Sequence, residues 1–360
     1  MRLPISWKYA KKIGIISIVV LCVALFLTLN LSAAGSSDLY FPPLKGAWEK
    51  VSPEQAGWNA AKLKKAMEYA GNQNSSGVVI LYRGRILAEQ YWKIESKASP
   101  AYQNLLIDTT SDGRAIEDVA SVQKSVISFL AAIAREQGKL DLNRTVADYL
   151  GKGWSKATPK QEEKIAVRHL MAMTSGLNEA LEYRHPAGNV WQYNTRAYSK
   201  MIPILTNITG MSIKQLTYKW LTAPTGMRES RWEPRPWVQN RYAADTTGFA
   251  TSARDLARFG LLVLAEGRWG GQAVLKDSRF LRAALQPSQH LKPSYGLLWW
   301  LISPSWFPQA PDRAIAALGR LSRIVCIVPS RQLVFTRLGD QANRNFLPDF
   351  WILLSAAMPD

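Results

Sequence analysis

Apolar and polar positions along this chain follow three different periods, and each predicts a different kind of element. From Ile13 to Leu31 nineteen residues pass without a charge, after Arg2, Lys8, Lys11 and Lys12. At helical rise such a run covers about 28 Å, enough to cross hydrocarbon. The positive flank should stay cytoplasmic and leave everything C-terminal outside. Ser32-Ala33-Ala34-Gly35 offers a small-residue site at which a signal peptide would be removed. Retention as an anchor is preferred, because the run exceeds an ordinary signal core. Residues 1–35 are therefore read as anchor or signal, and 36–50, with Pro42-Pro43, as a tether.

Beyond the tether the period shortens. Asn59 can cap a helix whose apolar positions Leu63, Ala66, Met67 and Ala70 recur at helical spacing until Gly71 stops it. Two strands joined around Arg83-Gly84 follow. Ala115 to Tyr242 reads as mostly helical. From Asp255 a Leu- and Phe-rich helix packs back, and Tyr295–Leu301 and Ile324–Leu338 supply further strands. Periodicity alone gives a mixed α and β domain.

Within the helical stretch, Ser121-Val122-Gln123-Lys124 opens an apolar-periodic helix. Residues three apart on a helix are neighbours, so an amine can approach a hydroxyl there. A crowded, partly buried lysine can lose its proton near neutrality, and N–H groups at a helix start can stabilise an oxyanion. On spacing alone, a capping serine followed by a solvated lysine accounts for the same four residues.

Composition narrows the alternatives. The chain has three histidines, His169, His185 and His290, and no Gly-x-Ser-x-Gly elbow, which disfavours a Ser-His-Asp hydrolase. His169 reads as packing or a local hydrogen bond. Two cysteines, Cys22 and Cys326, cannot build a thiolate zinc site, and no His-Glu-x-x-His or Gly-rich phosphate loop occurs. Neither metal nor cofactor is expected. The formal charge of +18 suggests anionic headgroups or wall polymers as neighbours. Scattered arginines without a nucleic-acid fold signature argue against nucleic acid as a partner. The densest basic-aromatic patch, Arg228 to Arg241 with Trp232 and Trp237, reads as a surface loop with packed indoles or, failing that, a substrate rim or membrane contact. Leu181–Val190 and Ser303–Arg313 could each form a lid.

Several strings then occur in a telling order: Ser52-Pro53-Glu54-Gln55-Ala56-Gly57, the Val78–Arg85 hairpin, Ser121-x-x-Lys124, Met173-Thr174-Ser175-Gly176-Leu177, Tyr193-Asn194-Thr195 and Ala250-Thr251-Ser252-Ala253-Arg254-Asp255-Leu256-Ala257-Arg258-Phe259-Gly260. From about Trp48 onward the chain resembles the serine β-lactamase and penicillin-binding protein superfamily, and within it the 6-aminohexanoate-dimer hydrolase-like and esterase-like members. The resemblance implies an α/β fold of the β-lactamase/transpeptidase type: an antiparallel sheet flanked by helices, from residues 51–114 and 243–360, plus a mostly helical lobe, 115–242, carrying the nucleophile. It implies Ser121, Lys124 and Tyr193 as catalytic residues, with Asn194, Gly319 and Ser322 near the substrate. The implied activity is hydrolysis of a small amide or ester through an acyl-enzyme; the N-terminal run adds export, with a membrane tether if it is retained and secretion if it is cleaved. The same likeness admits a β-lactamase or DD-peptidase, or a non-catalytic binding protein that keeps the fold. One departure stands out. Where many members carry Lys-Thr-Gly, this chain reads Ala317-Leu318-Gly319-Arg320-Leu321-Ser322-Arg323; Arg320 or Arg323 could supply positive charge for an acidic substrate, and solvated arginines at a strand end account for both equally.

Overall fold

A computed structural model describes residues 39–94, 98–238, 246–304, 306, 309–311 and 313–359. The expected anchor, its cleavage site and tether residues 36–38 lie outside these residues, and among the described residues no helix is long and apolar enough to cross a membrane. Residues 40–360 fall into one unit by their contacts.

Among the described residues, twelve strands form three sheets: β1 (Ser75–Tyr82), β2 (Arg85–Tyr91), β3 (Leu106–Thr109), β4 (Ala115–Asp118), β5 (Arg231–Pro234), β6 (Thr247–Thr251), β7 (Arg268–Trp269), β8 (Gln272–Ala273), β9 (Trp300–Ile302), β10 (Ala314–Gly319), β11 (Arg323–Val328) and β12 (Leu333–Gly339). The main sheet is antiparallel in the order β2-β1-β12-β11-β10-β9; β3-β4-β6-β5 make a second, and β7-β8 a small hairpin. The first hairpin turns through Arg83 at φ 50° and Gly84 at φ 80°, the positive pair that a two-residue turn between right-twisted strands requires.

Runs such as Ile324-Val325-Cys326-Ile327-Val328 are apolar at every position because the main sheet is covered on both faces. On one face Val78, Ile80, Cys326 and Phe335 pack under helices α1 (Ala60–Asn72) and α4 (Phe346–Ser355). On the other, Val79, Leu81, Val325, Ile327 and Val334 join the core that includes α2 (Gln123–Glu136) and α3 (Ala253–Leu264). Gly260 lets α3 lie close: a Cβ there would sit 2.5 Å from Val334 and 3.2 Å from Val325. Cys326, buried between the layers, has its thiol pushed well up by desolvation.

The structure departs from the expected elements in three places. Gly71 does not stop α1, which continues to Asn72; its missing side chain instead admits the Trp92 indole. Tyr295–Leu301 is no single strand. Residues 296–299 form a turn with Leu298 at φ 66°, whose N–H donates to the Met171 carbonyl, while the Leu297 and Leu298 carbonyls accept from Ser128 and Ser125 Oγ on α2 at 2.7 Å each. Those backbone bonds to α2 and the 167–171 helix outcompete strand pairing. Lastly, the helical lobe carries strands at both ends: β4 and β5 belong to the second sheet, and the helices lie between Gln123 and Thr225.

Candidate active site

β4 delivers the chain to the site. Its last residue, Asp118, is followed by Val119, then by Ala120 at φ 50°, and Ser121 sits in a 3-10 turn (Ala120–Val122) that leads directly into α2. A non-glycine residue in this region costs roughly 1–3 kcal/mol and persists only when its surroundings hold it. Here the holders are identifiable. The Ala120 N–H donates to Asp118 Oδ1 at 2.8 Å, the Val119 N–H to the Phe249 carbonyl at 2.9 Å, and the Val122 N–H to the Val119 carbonyl at 3.1 Å.

Behind this turn Arg235 forks onto Asp118, with Nε to Oδ2 at 2.6 Å and Nη2 to Oδ1 at 2.7 Å. Both side chains are mostly buried, at 10% and 2% exposure. The second oxygen acceptor in the group is Gln123 Oε1, which receives Arg235 Nη2 and the Phe249 N–H, each at 3.2 Å. Gly248 makes room for the pair, since a Cβ there would overlap the Asp118 carboxylate. Sequence reasoning missed Asp118, Gln123 and Arg235. Their separation in the chain hides the group, and only the bare Gly248 beside a Phe hints at it.

Lys124 Nζ lies 3.1 Å from Ser121 Oγ. The lysine is buried, the serine half-buried, so the amine is drawn inward while the hydroxyl meets solvent. Two phenol rings approach the amine, with Nζ 5.0 Å from the Tyr193 centroid and 4.6 Å from that of Tyr198. Tyr193 is set by an aromatic wall: it stacks on Trp300 of β9 at 6.1 Å and 20°, while Tyr295 meets both rings edge-on at 6.3 and 4.9 Å. A role in packing and a place beside the lysine thus coincide in one ring.

Ser121 and Lys124 open into a cavity of about 520 Å³ between the start of α2, the 100–105 helix and the end of β10. Trp237 and Arg320 also line it. Trp237 therefore forms part of the rim, whereas Trp232 is fully packed and donates to Thr217 Oγ1 at 2.8 Å. The described part of the basic-aromatic patch contains both kinds of indole.

Three sequence expectations change here. Asn194 does not reach the cavity; its buried amide caps the 195–199 helix through Ala197 N–H at 2.8 Å and donates to the Leu177 and Asn178 carbonyls at 2.7 and 2.9 Å. Its polar groups are consumed by the loop. Gly319 gives close approach to the turn that carries Ser121, because a Cβ would overlap the Val119 carbonyl oxygen. Ser322, at φ 58°, turns to Gln341 Nε2 at 3.2 Å and does not line the cavity. Of the two arginines considered, Arg323 is fully buried and paired with Glu117 at 2.7 Å, so the cavity has Arg320 instead. His169 acts as a local hydrogen-bond partner: its Nδ1 accepts the Ala166 N–H at 3.0 Å, and burial lowers its pKa to about 4.

A two-faced antiparallel sheet, joined to a helical lobe whose buried first helix begins at a Ser-x-x-Lys turn, defines the β-lactamase-like class of fold. The family model "Beta-lactamase" matches residues 60–354, and the chain belongs to that family. Solved structures agree on the fold. A Bacillus anthracis protein described as a candidate 6-aminohexanoate-dimer hydrolase aligns at TM-score 0.63 with 17% identity, over 90% of this chain and 91% of that one. A class C β-lactamase aligns at 0.64 with 15% identity, over 84% and 98%. EstCE1, a hydrolase with promiscuous acyltransferase activity, aligns at 0.63 with 15% identity, over 82% and 98%. Among curated proteins no match is found.

Proposed function

We propose that the protein is a serine hydrolase that cleaves a small ester or amide through an acyl-enzyme on Ser121. The observation that carries this reading is the 3.1 Å contact between a buried Lys124 amine and a half-buried Ser121 hydroxyl at the wall of a ligand-sized cavity. In the reaction, Ser121 Oγ bonds to the substrate carbonyl carbon as its proton passes to the unprotonated Lys124 Nζ. The bond from carbon to the leaving oxygen or nitrogen then breaks, and Tyr193 helps pass the proton to that atom. Water attacks the acyl-enzyme and returns Ser121 as the alcohol. Nothing in this scheme calls for a metal or cofactor. Membership of the Beta-lactamase family and a fold shared with a hydrolase of promiscuous acyltransferase activity support the reaction type, and the Ala317-Leu318-Gly319 sequence at the β10 end turns the preference from β-lactams to other acyl donors. The charge-free run Ile13–Leu31 supports export with retention at the membrane; fractionation of cells producing the full chain would oppose this if the protein stayed in the cytosol.

The test is intact-mass detection of an acylating or phosphonylating probe. Wild type should gain one adduct and Ser121→Ala none; equal labelling of the two removes Ser121 as the nucleophile.

A further inference from the structure

A second cavity, of about 690 Å³, lies at the far end of α2, walled by its last turn, the 167–171 helix and the 279–284 helix. That volume suits a small molecule. Among the described residues it shares none with the Ser121 cavity. Lys124 lines the one and Arg135 the other, and at helical rise these two residues stand about 16 Å apart along α2.

Two polar side chains of this second cavity have a donor that no described residue accepts. Thr174 is 2% exposed, and its backbone is consumed, the N–H donating to the His169 carbonyl and the carbonyl accepting the Gly188 N–H, at 2.8 Å each. Its hydroxyl makes no hydrogen bond with a described residue, and Thr174 lines the cavity. His169, half-buried in the same wall, completes the pair. Its Nδ1 accepts the Ala166 N–H at 3.0 Å, so the neutral ring carries its proton on Nε2. Gly188 lies in front of that nitrogen, where a Cβ would sit 3.7 Å away, and leaves it open. An unsatisfied buried polar group costs about 1–3 kcal/mol, which a bound oxygen acceptor recovers. Beside the pair, the buried Phe280 and Leu297 offer apolar surface. At the rim Arg168 donates to Asn143 Oδ1 at 3.3 Å and Arg135 lies over the Phe280 ring at 5.7 Å, while the Asp141 carboxylate accepts the Asn143 N–H at 2.9 Å.

We propose that this cavity is a second binding site, separate from catalysis, for a small organic acid whose carboxylate accepts from Thr174 Oγ1 and His169 Nε2 and whose apolar body lies on Phe280 and Leu297. The inference stands independently of the acyl-enzyme reading. Two inward donors match an anionic oxygen better than an ammonium, which has nothing to accept with.

Equilibrium dialysis of radiolabelled phenylbutyrate against the full chain tests the site, with unlabelled phenylbutyrate and the neutral phenylbutyramide as competitors. Wild type should bind the acid saturably, and the amide should compete roughly tenfold less well. Thr174→Val keeps the shape and removes the hydroxyl, so binding should weaken about tenfold, and Thr174→Ser should keep it. Ala283→Trp leaves the core alone, because Ala283 is exposed where it lines the cavity; the added indole should fill the space and abolish binding. Thermal melts followed by circular dichroism establish that each variant is folded. Absence of saturable binding in the millimolar range, or binding unchanged in either Thr174→Val or Ala283→Trp, overturns the site. Equal competition by acid and amide overturns the acid as its ligand. Labelling of Ser121 by an acylating probe is a separate readout that none of these results moves.

Discussion

Ala120 is held at φ 50° by a carboxylate that is itself held by an arginine, so the aim of Ser121 depends on the pair behind its turn. Asp118 keeps Ala120 in place through one N–H, and Arg235 keeps Asp118 in place through two bonds. Asp118→Asn preserves an acceptor for the Ala120 N–H, whereas Asp118→Ala removes it. Activity should therefore fall in the order wild type, Asn, Ala, with kcat for the Ala variant reduced by about tenfold or more, as expected when a nucleophile loses its orientation. Arg235→Ala should be more damaging to stability, by about 3–5 kcal/mol, because it leaves a buried carboxylate unpaired. Arg235→Lys cannot restore the two-pronged contact and should not rescue it. Steady-state kinetics alongside urea unfolding separates these outcomes; equal kcat across the Asp118 series would mean that the turn holds itself. Legibility differs sharply among these residues. Ser121 and Lys124 could be read because both lie in one helical turn, where spacing fixes distance. The cluster joins Asp118 and Gln123 to Arg235, more than a hundred residues further on, and no local rule brings them together.

At the level of elements, glycines mark where one segment presses on another. Gly319 at the end of β10 abuts the Val119 carbonyl, and Gly260 on α3 abuts β11 and β12. Gly319→Ala should push β10 away from the Ser121 turn and depress kcat/KM while far-UV circular dichroism stays native; retention of full activity would show that the strand end yields freely. The 167–171 helix depends on a titratable cap, His169, whose Nδ1 must stay unprotonated to accept from Ala166. Burial, assisted by Arg168, lowers its pKa from 6.5 to about 4. A base whose folded value is lowered binds fewer protons than the unfolded chain in between. Its contribution is thus fully present above about pH 6.5 and is lost as pH falls toward about 4. His169→Gln, which keeps an acceptor at the third helical position, should lose less Tm than wild type between pH 6.5 and 4. Parallel Tm curves for the two proteins over that range would show that the histidine does not carry this dependence. The α1 and α3 helices and the β1-β2 hairpin followed from period and turn residues. The 296–299 turn did not, since its apolar residues look like a strand and only their bonds to α2 make them otherwise.

Across the whole molecule, one buried ion pair ties the two larger sheets together. Glu117 on β4 pairs with Arg323 on β11 at 2.7 Å, both fully buried. The same carboxylate accepts from Ser76, from the Tyr102 hydroxyl at 3.1 Å and from the Gly339 N–H on β12 at 3.1 Å. Arg337, buried next to it, donates to the Leu321, Gln73 and Asp340 carbonyls and to Ser75 Oγ. Removing one member strands the opposite charge, so Glu117→Ala should destabilise the protein by about 3–5 kcal/mol. Because Glu117 lies one residue before Asp118, the same change should also lower activity in the surviving folded fraction. Denaturant unfolding with activity measured per folded molecule checks both; a stability loss under about 1 kcal/mol would place the junction elsewhere.

The amino-acid sequence by itself determined the class of fold, the Ser121–Lys124 pair and the charge-free N-terminal run, because each is written in spacings of a few residues or in an ordered series of local strings. Chain topology alone decided what stands around that pair. It assigned Asn194 to a helix cap, turned Ser322 toward Gln341, buried Arg323 against Glu117 and left Arg320 at the cavity. Helical and extended periods state which residues share a face, but not which distant faces meet, and the surroundings of Ser121 are made where distant faces meet.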